Sequence, residues 1–158
     1  MATPAAPITP VTPMESTDTS VDAEIIQKPL TRTVDALAGY EKMVAEAEPE
    51  VLAILQKLQA THKEHAAQLA AIIVAAGGTP DTDGSLMSTV NTAVVSLRAM
   101  FDEIDDDALE HAIDGEKYVV EAFEDAMKEL PEGENRQALA DMLAQLEGVL
   151  AEARVIAD

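Results

Sequence analysis

Two histidines and two glutamates are the residues of this chain whose types and spacing best suit metal chemistry. His62 and His65 are three residues apart, so on a helix their imidazole rings lie about one turn apart on one face. Glu116 supplies a carboxylate from another segment, and Glu41 is a weaker candidate. Imidazole and carboxylate groups together suit iron, manganese or zinc. We therefore predict His62, His65, Glu116 and Glu41 as metal ligands.

The same residues have an explanation that needs no metal. Buried polar groups destabilise a fold unless they are paired. Glu116 and a histidine could therefore form a buried polar layer that fixes the register of the helices. Both interpretations stay open at this stage. The sequence contains no Ser–His–acid order, phosphate-binding loop or nucleotide fingerprint, so we predict no catalytic or cofactor-binding residue and favour a non-enzyme.

The histidines lie on a strongly periodic segment, which predicts a helix from Pro49 to Ala76. Its apolar residues recur in alternating steps of four and three, which indicates a seam that faces a bundle core. His62 and His65 occupy two consecutive positions of this seam, which comprises Val51, Leu55, Leu58, His62, His65, Leu69 and Ile72.

The two glutamates fall on other predicted helices. Glu116 takes a heptad position where leucine is expected, on a helix predicted to end at Leu130; the others at that position are Leu109, Phe123 and Leu130. Glu41 belongs to the seam Val34, Leu37, Glu41 and Val44 of a helix predicted from Thr33 to Ala47. The adjacent Tyr40 could take the inward place instead.

The rest of the chain supplies a tail, a crossover and a last helix. Residues 1–30 are rich in Pro, Thr and Ser, which predicts a disordered tail. A shorter helix is predicted from Ser85 to Glu103, and a last one from Asn135 to Ile156 with an uninterrupted apolar seam. No strand-like alternation occurs. We predict an all-α fold over residues 31–158, in which two antiparallel hairpins are joined by a crossover.

Charge and composition limit the partners. The chain has a formal net charge of −20 and a pI near 4.2, which disfavours nucleic acid and anionic membrane surfaces. Such acidity is equally typical of proteins from salty habitats. It contains no cysteine, so disulfides and thiolate ligands are excluded. With no secretory signal or membrane span predicted, we expect a cytoplasmic protein, with a homo-oligomer as one option.

Four segments resemble a known family. They are Asp35–Tyr40, Ala70–Pro80, Ser96–Arg98 and Glu110–Glu116, and in this order they look like small bacterial ferritin-like proteins, distantly similar to rubrerythrin and carried as a domain of unknown function. The resemblance implies a ferritin-like four-helix bundle with any metal midway between the hairpins. The usual di-iron pattern needs Glu-x-x-His on two helices. This chain contains no Glu-x-x-His, so its di-iron ligand set is incomplete.

Two functions follow as expectations. The first is a ferritin-like protein that binds iron, manganese or zinc in the bundle core, in iron handling or oxidative stress. Catalysis at such a metal would need an open coordination position. The second is a non-enzymatic stress or interaction scaffold without metal, whose N-terminal tail reaches a protein partner.

Overall fold

The fold is all-helical throughout the part of the chain that the structure describes. The computed structural model describes residues 12–84 and 103–158, with side chains from residue 21 onward. Its helices are α1 (Thr12–Glu46), α2 (Pro49–Ala75), α3 (Asp106–Gly115), α4 (Lys117–Glu129) and α5 (Glu134–Ala157). The predicted helical class is confirmed. The predicted middle helix, Ser85–Glu103, lies outside the described residues except for its last residue, as do residues 1–11 of the predicted tail.

Local signals in the sequence determine where α2 begins and ends. Pro49 occupies the first turn, where its missing N–H group is no loss. At the other end, Gly77 has φ +85° and ends the helix in a left-handed conformation that a glycine adopts without strain. The N–H of Gly77 donates to the carbonyl of Val74, and that of Gly78 to the carbonyl of Ile73. These two bonds form a Schellman motif.

A capping aspartate begins α3, as the acidic run predicts. The side chain of Asp105 accepts hydrogen bonds from the backbone N–H groups of Asp107 at 3.1 Å and Ala108 at 3.2 Å. The helix predicted to end at Leu130 is divided into α3 and α4 at Glu116. Its N–H group is shared there between the carbonyls of Ala112 and Ile113. The division therefore falls on a candidate site residue.

The helices pack as two hairpins. α1 packs most extensively on α2, and the short connection Ala47–Glu48 makes the two run antiparallel. α4 is joined to α5 by the short connection 130–133, and both α3 and α4 pack on α5. Across the hairpins, α1 contacts α4 and α2 contacts α5. This is the arrangement of a four-helix bundle. None of the described helices has the length and apolar run that crossing a bilayer requires.

The two ends of the crossover are fixed at opposite ends of the first hairpin. After α2, the backbone of Asp81 exchanges two hydrogen bonds with the side chain of Gln27, at 2.9 and 3.0 Å. Before α3, the carbonyl of Ile104 accepts from the N–H of Glu48 at 2.9 Å. Asp81 and Ile104 are therefore held at opposite ends of the first hairpin.

The domain boundary predicted at Thr31 lies inside α1 and is corrected here. The described part of the predicted tail, residues 12–30, is helical, and Ile26 and Leu30 are fully buried. A proline inside a helix costs about 3 kcal/mol because it removes a hydrogen bond and clashes with the preceding turn. The burial of Ile26 and Leu30 offsets the effect of Pro29, since each such side chain contributes about 1.5–3 kcal/mol.

Candidate functional site

Three side chains from three helices meet around one carboxylate oxygen in the core. The hydroxyl of Tyr40 on α1 donates to Oε1 of Glu116 at 2.6 Å. Nε2 of His62 on α2 lies 2.7 Å from the same oxygen. The Tyr40 and His62 rings also stack, with centroids 5.5 Å apart. We call Tyr40, His62 and Glu116 the core triad. All three are buried, with His62 at 0% exposure and the other two at 3%.

The electrostatics of the core triad make Tyr40 a neutral donor. Burial, the charge of Glu116 and the hydrogen bond to Glu116 together hold the pKa of the Tyr40 hydroxyl well above its ordinary value. The proton therefore stays on Tyr40 at neutral pH, and Glu116 accepts. Because the triad joins α1, α2 and the α3–α4 junction, it ties both hairpins together.

His65 lies one turn further along α2 and has different partners. Its Nε2 lies 3.0 Å from Oε1 of Gln145 on α5, and its ring meets Phe123 edge-on at 6.3 Å. Burial lowers the pKa of His65, and the nearby His62 acts in the same direction. The hydrogen bond to Gln145 and the charges of Glu64 and Glu116 act in the opposite direction and are outweighed. His65 is therefore a neutral imidazole at pH 7.

The core triad and His65 together form a buried polar layer. Three buried atoms of this layer have no hydrogen-bond partner among the described residues. They are Nδ1 of His62, Nδ1 of His65 and Oε2 of Glu116. Leaving a buried polar atom unpaired costs about 1–3 kcal/mol, so native proteins generally supply a partner, a water or an ion. Two imidazole nitrogens and one carboxylate oxygen are also metal-ligand types. Each of these three atoms could therefore take part in a further hydrogen bond or bind a metal ion.

The structure brings together two of the four predicted ligands and keeps a third nearby. His62 and Glu116 are in direct contact, and His65 is buried beside them with its own partner, as their seam positions predict. Glu41 is exposed, and its place in the seam belongs to Tyr40. Its prediction as a ligand is corrected on this ground. The role of the other three as metal ligands stays a prediction.

The reason for the Glu41 error is the register of α1. A helix that begins near Thr33 can turn either the face with Tyr40 or the face with Glu41 toward the core. The buried residues of the longer helix set the register, because they continue the same steps from further upstream: Ala23, Ile26, Leu30, Thr33, Tyr40 and Met43. A position one residue later is turned by about a quarter of a circle. The apolar residues among positions 21–30 carry the periodicity that places Tyr40 inward, and a helix that begins near Thr33 lacks them.

Gln145 is the site residue that no sequence pattern could identify. It lies next to Leu146 in the apolar seam of α5, which predicted no polar group facing the core. Its side chain reaches Nε2 of His65 from the edge of that seam. A long, flexible glutamine can do this from a largely exposed position, so periodicity carries no sign of it.

Within residues 12–84 and 103–158, no group of three or more His, Cys, Asp or Glu side chains is placed to hold a metal ion. A di-iron centre of the usual kind would need two such groups of ligands. The donor types around His62 and Glu116 suit a metal, but their present contacts are hydrogen bonds to each other and to Tyr40.

The lowered pKa of His65 predicts a loss of stability in mild acid. Unfolded His65 takes up a proton as the pH falls below about 6.5, while folded His65 resists until its lower pKa is reached. Its stabilising contribution is therefore complete above this pH and declines below it, by at most about 1.4 kcal/mol per pH unit. Urea unfolding of metal-free protein at pH 7.5 and 5.5 measures the change, with His65→Gln as the comparison. Equal acid sensitivity in both proteins would contradict the prediction.

The fold and the site together define an all-helical bundle protein with a buried Tyr–Glu–His cluster in its core. The family model described as "Domain of unknown function (DUF2383)" matches residues 23–129, and the chain belongs to this family. The match begins in α1 at Ala23, the first buried residue among the described side chains, and ends with α4. It includes the whole core triad but not α5. Comparison with curated proteins and with solved structures gave no significant match.

Proposed function

We propose that this chain is a ferritin-like protein that binds a single metal ion in its core, in iron handling or oxidative stress, with an incomplete form of the di-iron ligand set. The observation that supports this proposal is the presence of three buried, unpartnered ligand atoms on His62, His65 and Glu116. These side chains do not converge on one point as they stand, so metal binding would require them to reorient. Two hairpins with the polar layer between them agree with a ferritin-like arrangement. Iron, manganese and zinc are the candidate ions.

The hydrogen bonds of the two histidines leave one ring nitrogen of each without a partner. Nε2 of His62 faces the Glu116 carboxylate, and Nε2 of His65 faces Gln145. Histidines that bind metals through one nitrogen usually donate from the other to a carboxylate or carbonyl, which orients the ring. Each Nδ1 atom is then left with its lone pair available. The chemistry that a bound ion would supply is Lewis acidity, or electron transfer if it is iron or manganese.

Metal analysis tests the proposal. Protein purified without a His tag is loaded aerobically with Fe(II), Mn(II) or Zn(II), desalted and analysed for metal content. We expect stoichiometric retention of one of these ions, and its loss in the His62→Gln and Glu116→Gln variants. Glu41→Gln is the matched control, because Glu41 is an exposed carboxylate next to Tyr40. It should retain the metal fully.

The second candidate is a metal-free scaffold, in which the core triad is a structural polar layer that fixes the helix register. The two short hydrogen bonds to Oε1 of Glu116, at 2.6 and 2.7 Å, favour it. A chain that stays free of all three metals after aerobic loading would rule out the metal proposal and leave this one. Pull-down with full-length protein and with a variant lacking residues 1–11 would then test the predicted role of the tail.

A further inference from the structure

Gln145 is an exposed side chain that bonds directly to a buried candidate ligand. Its Oε1 atom lies 3.0 Å from Nε2 of His65. Residue 145 lies on the exposed side of α5, whereas His65 is at 0% exposure. The ring of His65 therefore has its Nε2 edge toward α5. Its Nδ1 atom is buried and lacks a hydrogen-bond partner among the described residues.

The hydrogen bond to Gln145 decides which ring nitrogen of His65 carries the proton. A neutral imidazole has one N–H donor and one bare acceptor nitrogen. The amide oxygen of Gln145 can only accept, so Nε2 of His65 is the donor. Nδ1 is then bare, and its lone pair lies inside the core. In metal sites, a bond of this kind from the second ring nitrogen fixes the tautomer of the ligating imidazole.

The same bond fixes the orientation of the His65 ring. A half-turn about the Cβ–Cγ bond would put a carbon atom in the place of Nε2 and break the contact with Gln145. It would also move Nδ1 from its present position. The edge-on contact with Phe123, at 6.3 Å between ring centroids, survives such a turn because the ring plane is unchanged. Of these two contacts, only the one with Gln145 distinguishes the two orientations.

His62 has the same arrangement inside the core. Its Nε2 bonds to Oε1 of Glu116, and its Nδ1 also lacks a partner among the described residues. We propose that Gln145 is a positioning residue that fixes the tautomer and ring orientation of His65, so that a bare Nδ1 is held in the core to bind a metal ion. Its part in metal binding rests on the proposed function, whereas the state of the ring is a property of the metal-free protein.

Nitrogen-15 NMR of the histidine rings in metal-free, full-length protein at pH 7.5 tests the state of His65. The chain has three histidines, and His65→Gln identifies the signals that belong to His65. We expect the proton on Nε2 in wild type and in Gln145→Glu, because a carboxylate also only accepts. Gln145→Leu offers no acceptor, so it should show a measurable population with the proton on Nδ1. A proton on Nδ1 in wild type, or one held entirely on Nε2 in Gln145→Leu, would overturn the proposal.

Titration of the same proteins with Zn(II), in competition with a coloured chelator, tests the consequence for metal binding. Gln145→Leu should raise the Kd about tenfold, the low end of the effect of losing a hydrogen-bond partner of a metal ligand. Gln145→Glu should bind at least as tightly as wild type. Gln56→Leu is the control for a leucine at an exposed position, and Ala144→Glu is the control for an added charge on α5. Each control should change the Kd by less than about threefold.

The outcomes separate this proposal from the metal function itself. If wild type binds Zn(II) and Gln145→Leu binds it equally well, the positioning role is wrong and the metal function stands. If wild type binds no Zn(II), the role of Gln145 in binding this ion is wrong, and aerobic loading with Fe(II) and Mn(II) decides the metal function separately. Because position 145 is exposed, its variants should fold, which circular dichroism checks.

Discussion

Replacing Glu116 with alanine is expected to lower the free energy of unfolding by about 3–5 kcal/mol. The Tyr40 hydroxyl and Nε2 of His62 share this one carboxylate, and both stay buried when it is removed. Two buried donors then lack a partner, and the lost side chain leaves a cavity. Urea unfolding of the metal-free protein, followed by circular dichroism, measures the change.

The control for this result is Glu121→Ala. Glu121 is an exposed glutamate on α4, so its removal should change the free energy of unfolding by less than about 0.5 kcal/mol. A loss below about 1 kcal/mol in Glu116→Ala would contradict the prediction, because a single exposed hydrogen bond could account for it. Such a result would mean that water replaces the carboxylate without cost.

A variant in which all three residues of the core triad are apolar shows whether the polar groups are needed for folding or for another function. Replacing a buried polar network as a unit by apolar residues of similar size is frequently neutral or stabilising, whereas removing one member is not. The triple variant Tyr40→Phe/His62→Leu/Glu116→Leu should therefore be more stable than Glu116→Ala. If it matches wild type in stability, the polar layer is not required for folding. Its presence would then favour a binding role, which the metal-loading experiment examines.

Removing residues 1–30 is the second change with a large expected effect. The variant covers the bundle as the sequence predicted it, yet it lacks Ile26 and Leu30, which are fully buried in the core. These two side chains alone contribute about 3–6 kcal/mol of burial. Ala23 and the contact of Gln27 with Asp81 are lost with them. Because a typical domain is stable by about 5–15 kcal/mol, we expect a large drop in Tm or a failure to fold.

Point variants show whether the burial itself is responsible. Ile26→Ala/Leu30→Ala should cost about 4 kcal/mol or more, since large-to-small changes in a core cost about 2–5 kcal/mol each. Lys28→Ala/Arg32→Ala, at exposed positions of the same helix, should cost less than about 1 kcal/mol. A truncated chain as stable as the full-length protein would show that the first half of α1 contributes no core packing.

Most of the helical framework follows from local signals along the chain. Pro49 and Gly77 mark the ends of α2, and Asp105 begins α3, because these signals act on the neighbouring backbone alone. The heptad pattern also placed His62, His65 and Glu116 in the core, since a strong apolar periodicity defines the buried face of a helix. The residue types of the candidate site were therefore largely predictable.

Which of these groups meet depends on how the helices pack against one another. Tyr40 and Glu116 are 76 residues apart, and His65 and Gln145 are 80 apart. No local pattern encodes such pairs, because they depend on how each helix is rotated against its neighbours. The helical start of α1 also depends on tertiary packing. Its proline-containing segment has weak helical propensity and is held by burial against the bundle. Packing, rather than propensity, therefore set the register that brought Tyr40, and not Glu41, to the core carboxylate.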